Sequence, residues 1–223
     1  MTSVQPKPPA PKPASPGRPK DLGKRAAILD AAKRMFTAHG FERVSMDQIA
    51  AEAGVSKLTV YSHFGDKETL FSEAISAKCE EQLSAGLFAV DPASSLREQL
   101  LGIGRAFVGL INSEEALAIH RVVTTQPPPA KLGQLFWEAG PRRVQEAFES
   151  FLRHEIAAGA LEIPDVHRAA SQFLCLLKGE MHMLLLCGCC DAIDEDEAEA
   201  HVQATVDLFL RAYRAAPAPT RKR

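Results

Sequence analysis

Hydroxyl, imidazole and ammonium groups gather in one short stretch of this chain. Ser45, Lys57, Thr59, Tyr61, Ser62 and His63 fall within 19 residues, and Lys67 follows closely. Every group in the set can donate a hydrogen bond to a phosphate oxygen. That is the chemistry of holding a polyanion in register. Leu58, in their midst, can pack on a thymine methyl but donates no hydrogen bond. A second concentration, His182 with Cys187, Cys189 and Cys190, offers thiolates that could bind zinc or copper or respond to oxidation. Its spacing matches no standard zinc motif, and the cysteines follow a leucine-rich run, where thiols also serve as small apolar groups. His120 beside Arg121 is a third pair, able to meet an anionic or hydrogen-bonding ligand, or else to make an internal salt link or a solvated helix face. The motifs of nucleotide-binding loops, nucleophile elbows and zinc proteases are missing, which argues against an enzyme. No cofactor or metal-ligand set is assigned.

The elements that must position these groups read as helices. Leu22, Ala26, Leu29, Ala32 and Phe36 recur at three- and four-residue spacing, and Gly40 ends the run. Ser45 can cap a short helix to about Ala53, with Ile49 and Ala50 inward. Gly54 then supplies a turn, and Ser56 caps a second short helix, Lys57 to His63. Val55, Val60 and Phe64 can bury one face of this unit, leaving Lys57, Leu58, Thr59, Ser62 and His63 on the other. Three short helices with a tight turn between the last two are a device for reading a major groove. The same spacing also suits any small helical core.

Asp66 begins a longer helix along Leu70, Phe71, Ile75, Cys79 and Leu83. The periodicity predicts further helices over about 96–110, 114–125, 131–139, 141–156, 165–186 and 195–215. Pro127, Pro128 and Pro129 stop one of them, Pro141 opens another, and the acidic run Asp194–Glu197 favours the start of the last. No alternating strand pattern of useful length is present. The expected fold is all-α.

Charge is unevenly placed. Between Arg18 and Lys67 nine Lys/Arg stand against six Asp/Glu, whereas from Glu68 onward 15 basic residues face 22 acidic ones. A mildly basic end on an acidic body suits contact with a polyanion, and equally an ordinary solvated surface. Residues 1–19 hold seven prolines and no acidic or aromatic residue, so a disordered arm is expected there. Its Arg18, with Lys20 just beyond, could follow a minor groove or simply keep the chain soluble. Residues 216–223 are expected to be a flexible tail. Five cysteines, no export signal and no uninterrupted apolar span point to the reducing cytosol and to no membrane partner.

The run from Ser45 to Phe71 resembles the DNA-binding signature of the TetR family of bacterial regulators. Ile28-Leu-Asp-Ala-Ala, Phe36 and Gly40-Phe41 resemble that family's first helix. The resemblance implies a homodimer, with one reading head per subunit followed by a helical body of roughly six further helices that binds a ligand and dimerises. It implies that Ser45 and Lys67 meet phosphates, that Lys57, Leu58 and Thr59 enter the groove, and that Tyr61 and His63 hold the backbone. The family commonly has Gly where this chain has Leu58, so the operator does not follow from family averages. His120-Arg121-Val-Val, Phe136-Trp-Glu-Ala-Gly-Pro141 and Gln172–Gly179 are similar to the subgroup containing AefR- and NalC-like regulators, which implies control of efflux, stress or quorum-related genes.

The expected organisation is therefore an arm over 1–19, a helix-turn-helix domain over 20–66, a ligand-binding and dimerisation domain over 67–215, and a tail over 216–223. Family topology points to Phe107, Ile111, His120, Arg121, Trp137, Phe148 and Leu177 as ligand-pocket residues, with plain core packing the alternative for the apolar ones. Phe173, Met181, Leu184, Val202, Val206 and Phe209 supply the apolar spacing for core and dimer interface together. The expected partners are double-stranded operator DNA, a second copy of the chain and a small organic effector. The expected mechanism is repression from a palindromic operator, relieved when the effector shifts the reading heads through the helix starting at Asp66. A metal- or redox-responsive regulator using the cysteines is the rival, and a pure protein-interaction module the third class.

Overall fold

In the computed structural model, which describes residues 22–125 and 131–215, ten α-helices and one 3₁₀ turn account for the regular structure. The arm with Arg18 and Lys20, the prolines at 127–129 and the tail lie outside the described residues. The first helix, α1, spans Leu22–His39 and packs on α4, Lys67–Gln82. Between them sit α2, Met46–Glu52, and α3, Lys57–Phe64. Ile28, Leu29, Ala31, Ala32 and Phe36 carry the buried stripe of α1. Leu22 and Ala26, expected on that stripe, are exposed.

Local chemistry sets the ends of the short helices. Ser45 caps α2 reciprocally: its hydroxyl accepts from the Gln48 amide, and the Gln48 side chain accepts from the Ser45 amide at 2.8 Å. Gly54, at φ +65°, turns the chain between α2 and α3 in a conformation L side chains rarely adopt. Ser56 accepts from the Thr59 amide to start α3, and Asp66 accepts from the Thr69 amide at 2.7 Å to start α4.

Beyond the 3₁₀ turn at Ala85–Phe88 come α5, Leu96–Ile111, α6, Glu114–Thr124, α7, Lys131–Ala139, and α8, Pro141–Ala157. The chain closes with α9, Val166–Leu186, and α10, Glu195–Tyr213. Ser95 and Glu98 form a second capping box at the head of α5, and Asp194 accepts two amides at the head of α10. A feature the periodicity did not show lies inside α9: Gly179 has φ +55° and ψ −165°, which breaks the helix into two limbs. His201 of α10 sits where a Cβ on Gly179 would go, 2.7 Å away, and its Nε2 is 2.9 Å from the Leu176 carbonyl exposed by the break.

Two hydrophobic cores result. One joins α1–α4 to Ile119 of α6 and Leu132 of α7, with Phe36, Phe41 and Phe71 in mutual edge or tilted contact at 5.2–5.7 Å. The first core thus reaches across the boundary expected at residue 66. The other fills the bundle of α5, α8, α9 and α10 around Phe148, Phe151, Phe173 and Phe209. Rings of Phe148 and Phe173 lie 4.9 Å apart, and those of Phe173 and Phe209 5.0 Å.

This core corrects part of the expected interface. Phe173, Val202, Val206 and Phe209 are enclosed within one chain, so a partner cannot touch them. Met181 is also buried, and only Leu184 of the six is exposed. The apolar side chains left uncovered on the last two helices are Leu176, Met183, Leu184 and Leu208. Periodicity identified an apolar face on each helix but not which side of it the neighbouring helix fills.

Candidate DNA-reading unit and effector cavity

The α3 helix stands out from the head of the molecule. Leu58, at 79% exposure, has no covering group, and Tyr61 and Ser62 are exposed beside it. Val60 and Phe64, on the opposite face, are buried and anchor the helix. Lys57 donates to Asp47 of α2 at 2.9 Å and lies 5.8 Å from the Tyr61 ring. The hydrogen bond and charge of Asp47 raise the Lys57 pKa, keeping a full positive charge at the head of α3.

Other expected contact residues have internal tasks as well. The Thr59 hydroxyl is 2.8 Å from that of Ser56, and Ser62 donates to the Thr59 carbonyl. Ser45 serves the cap of α2 but remains exposed. Lys67 donates to the Phe41 carbonyl at 2.9 Å and lies 4.2 Å from the Phe41 ring, which occupies one of its three donors and leaves two. His63 is half-buried, and its Nδ1 has no partner among the described residues.

Behind this head, a cavity of about 700 Å³ opens between the two cores. Its wall includes Phe107 and Ile111 of α5, His120 of α6 and Trp137 of α7, four of the residues expected there. Three others lie elsewhere. Phe148 and Leu177 are fully enclosed in the bundle core. Arg121 turns the other way and donates to the carbonyls of Leu185 and Leu186 at the end of α9. On one helix face, neighbours in sequence point about 100° apart, so His120 and Arg121 do not share a target.

The wall also contains residues that periodicity did not single out for it. Phe36 of α1 and Phe71 and Ile75 of α4 come from the DNA-side core, and Phe136, Lys178 and His182 complete the far side. His120 stacks between Phe136 and His182, at 6.0 and 5.6 Å. Burial and then the Lys178 charge lower the His120 pKa, so this ring is neutral at neutral pH. His182 is brought there from 62 positions downstream, a meeting that no local pattern reports.

Cys187, Cys189 and Cys190 are not part of this wall, whereas Cys79 is. Among the described residues, no group of three or more His, Cys, Asp or Glu side chains is placed to hold a metal ion. Burial pushes the Cys79 thiol up to about 11, which suits a packing role. Among the described residues no helix is long and apolar enough to cross a membrane.

Comparison with known proteins bears on this arrangement directly. Residues 28–74 match the sequence profile described as bacterial regulatory proteins, tetR family, and residues 98–215 that of the AefR-like transcriptional repressor, C-terminal domain. The chain belongs to the TetR family of bacterial transcriptional regulators. The second match covers the body of the molecule and gives it an AefR-like C-terminal domain. The solved flavonoid-responsive regulator FrrA is 32% identical over 88% of this chain and all of its own, with a TM-score of 0.69. A TetR-family regulator from Mesorhizobium loti MAFF303099 has a TM-score of 0.72 at 27% identity, covering 87% of this chain and 98% of its own. The probable acrEF/envCD operon repressor of Escherichia coli K12 is 31% identical over 43% of this chain. The matched segment spans about half the length of that curated relative, 46%. TetR-family regulators are not enzymes, in keeping with the missing catalytic motifs.

Proposed function

We propose that this TetR-family protein is a repressor that binds a palindromic operator as a homodimer and leaves it when a small organic effector fills the cavity. Residues 20–66 form the reading head, and 67–215 the effector and dimerisation body. The observation that carries the reading is the shared wall: Phe36 of α1 and Phe71 and Ile75 of α4 belong to the DNA-side core and also face the cavity. A molecule seated there presses on the two helices that hold α3. Lys57, Leu58 and Thr59 enter the major groove, with Ser45, Tyr61, Ser62, His63 and Lys67 on the phosphates. Two copies pair through Leu176, Met183, Leu184 and Leu208, setting the two α3 helices about one DNA turn apart, roughly 34–36 Å. FrrA is by its description flavonoid-responsive, and an aromatic effector suits the ring-lined cavity here. Operator binding places the protein in the cytoplasm.

The test is operator affinity with and without an effector found by thermal-shift screening. A coupling of 1–3 kcal/mol corresponds to about 5- to 150-fold weaker operator binding. Equal affinity in the free and effector-bound states contradicts the switch.

A further inference from the structure

Among the described residues, one buried side-chain polar atom on a residue of the cavity wall has no hydrogen-bond partner. His182, on the second limb of α9, is 5% exposed. Its Nδ1 lies 2.9 Å from Oδ1 of Asn112, the residue that ends α5. An amide oxygen only accepts, so Nδ1 carries the ring proton and donates, leaving a lone pair on Nε2. That Nε2 is buried and has no hydrogen-bond partner among the described residues. A buried acceptor left unpaired forfeits a hydrogen bond it had in water. Asn112 thus fixes the tautomer and leaves Nε2, on a residue of the cavity wall, as an acceptor without a partner among the described residues.

The surroundings narrow what fills it. Burial, then His120 and Lys178, push the His182 pKa down to about 4, so the ring stays a neutral acceptor at neutral pH. The wall's Asp30, Glu81 and Glu115 are paired with Lys33 and Lys78, so the charge that bears on His182 is the Lys178 ammonium. It disfavours a cationic donor, and a carboxylate has no proton to give. A neutral hydroxyl satisfies both conditions. Next to His182 the wall is flat and aromatic: His120 stacks on it at 5.6 Å, Phe136 stacks on His120, and Trp137 lies in the same wall. We propose that the effector is a flat hydroxyaryl compound whose hydroxyl donates to His182 Nε2 while its ring lies along the aromatic wall. The inference rests on the effector-cavity reading and adds the chemical class and the anchoring atom.

Calorimetric titration of the full-length protein with 2-naphthol, 2-methoxynaphthalene and naphthalene tests it. The three probes share a ring system, and only the first has a hydroxyl proton. The expected result is that 2-naphthol binds about tenfold more tightly than the other two. In His182→Phe that preference falls to near unity while naphthalene binding persists. Equal binding of the three to the unaltered protein overturns the hydroxyl anchor and leaves the effector cavity standing. A preference that survives in His182→Phe assigns the anchor to another group and also overturns the inference. Failure of all three to bind overturns it too, and contradicts the cavity reading itself.

Discussion

Arg121 of α6 donates through Nη2 to the Leu185 carbonyl at 2.6 Å and through Nε to the Leu186 carbonyl at 2.9 Å. These carbonyls lie at the end of α9, where a helix carries partial negative charge, and that of Leu185 also accepts from the Gly188 amide at 3.1 Å. One guanidinium thereby ties the helix that packs on α1 to the helix that offers Leu176, Met183 and Leu184 for dimerisation.

Arg121→Met keeps much of the aliphatic stem and removes the donors. It is expected to lower stability by about 1–2 kcal/mol, measured by denaturant unfolding. It should also weaken effector release, because α6 and α9 then move less as one body. Unchanged stability together with unchanged release contradicts this role.

The enclosed aromatic core and the uncovered leucines separate two kinds of mutant on the last two helices. Phe173→Ala should destabilise the fold by about 3–5 kcal/mol. Leu184→Glu or Leu208→Glu should leave the helix content intact and shift the protein to monomer, seen by analytical ultracentrifugation. A folded dimer of Leu184→Glu and Leu208→Glu combined contradicts the proposed pairing face.

Helix caps were the most legible part of the sequence. Ser45, Ser56 and Asp66 each cap where hydroxyl or carboxylate chemistry placed them, because a cap is decided within four residues. Exposure of Leu58 followed from the same local reading. Apolar periodicity gave each helix a buried face but not the element that covers it. Hence Phe148 and Leu177 went to the pocket and Phe173 and Val206 to the interface, whereas all four fill one core. The break at Gly179 and the approach of His182 to Asn112, 70 residues apart, depend on contacts between distant helices. Neither leaves a local sequence signal.

The contact between Lys57 and Asp47 gives a prediction of opposite sign to the usual loss on mutation. Asp47→Asn frees the ammonium, and the exposed pair it breaks contributes little to stability. Operator affinity should rise severalfold, read by fluorescence anisotropy. Lys57→Ala should lower operator affinity and relax the sequence preference at the base it meets, whereas Lys67→Ala should weaken binding to all sequences and reduce the salt slope by about one. Leu58→Ala should cost specific binding about tenfold while leaving the salt slope unchanged. A salt slope altered by Leu58→Ala and untouched by Lys67→Ala would falsify these roles.

His182 gives the fold an acid sensitivity above the carboxylate range. Its folded pKa of about 4 lies below the ordinary histidine value near 6.5. Between those values the unfolded chain binds the proton and the folded chain does not, so stability falls as pH drops from about 6.5 to 4. His182→Phe should therefore show a smaller loss of Tm between pH 7 and pH 5 than the unaltered protein. An equal loss in both contradicts a neutral, buried His182.

Whether the α3 surface reads a particular DNA sequence is decided by selecting genomic fragments with the purified protein at near-physiological salt and sequencing those retained. Enrichment of one or a few palindromes, lost in Leu58→Ala combined with Lys57→Ala, is the expected result. Uniform retention that disappears with moderate salt, and is the same in that double variant, would mean that the head holds DNA without reading it and would contradict sequence reading by α3.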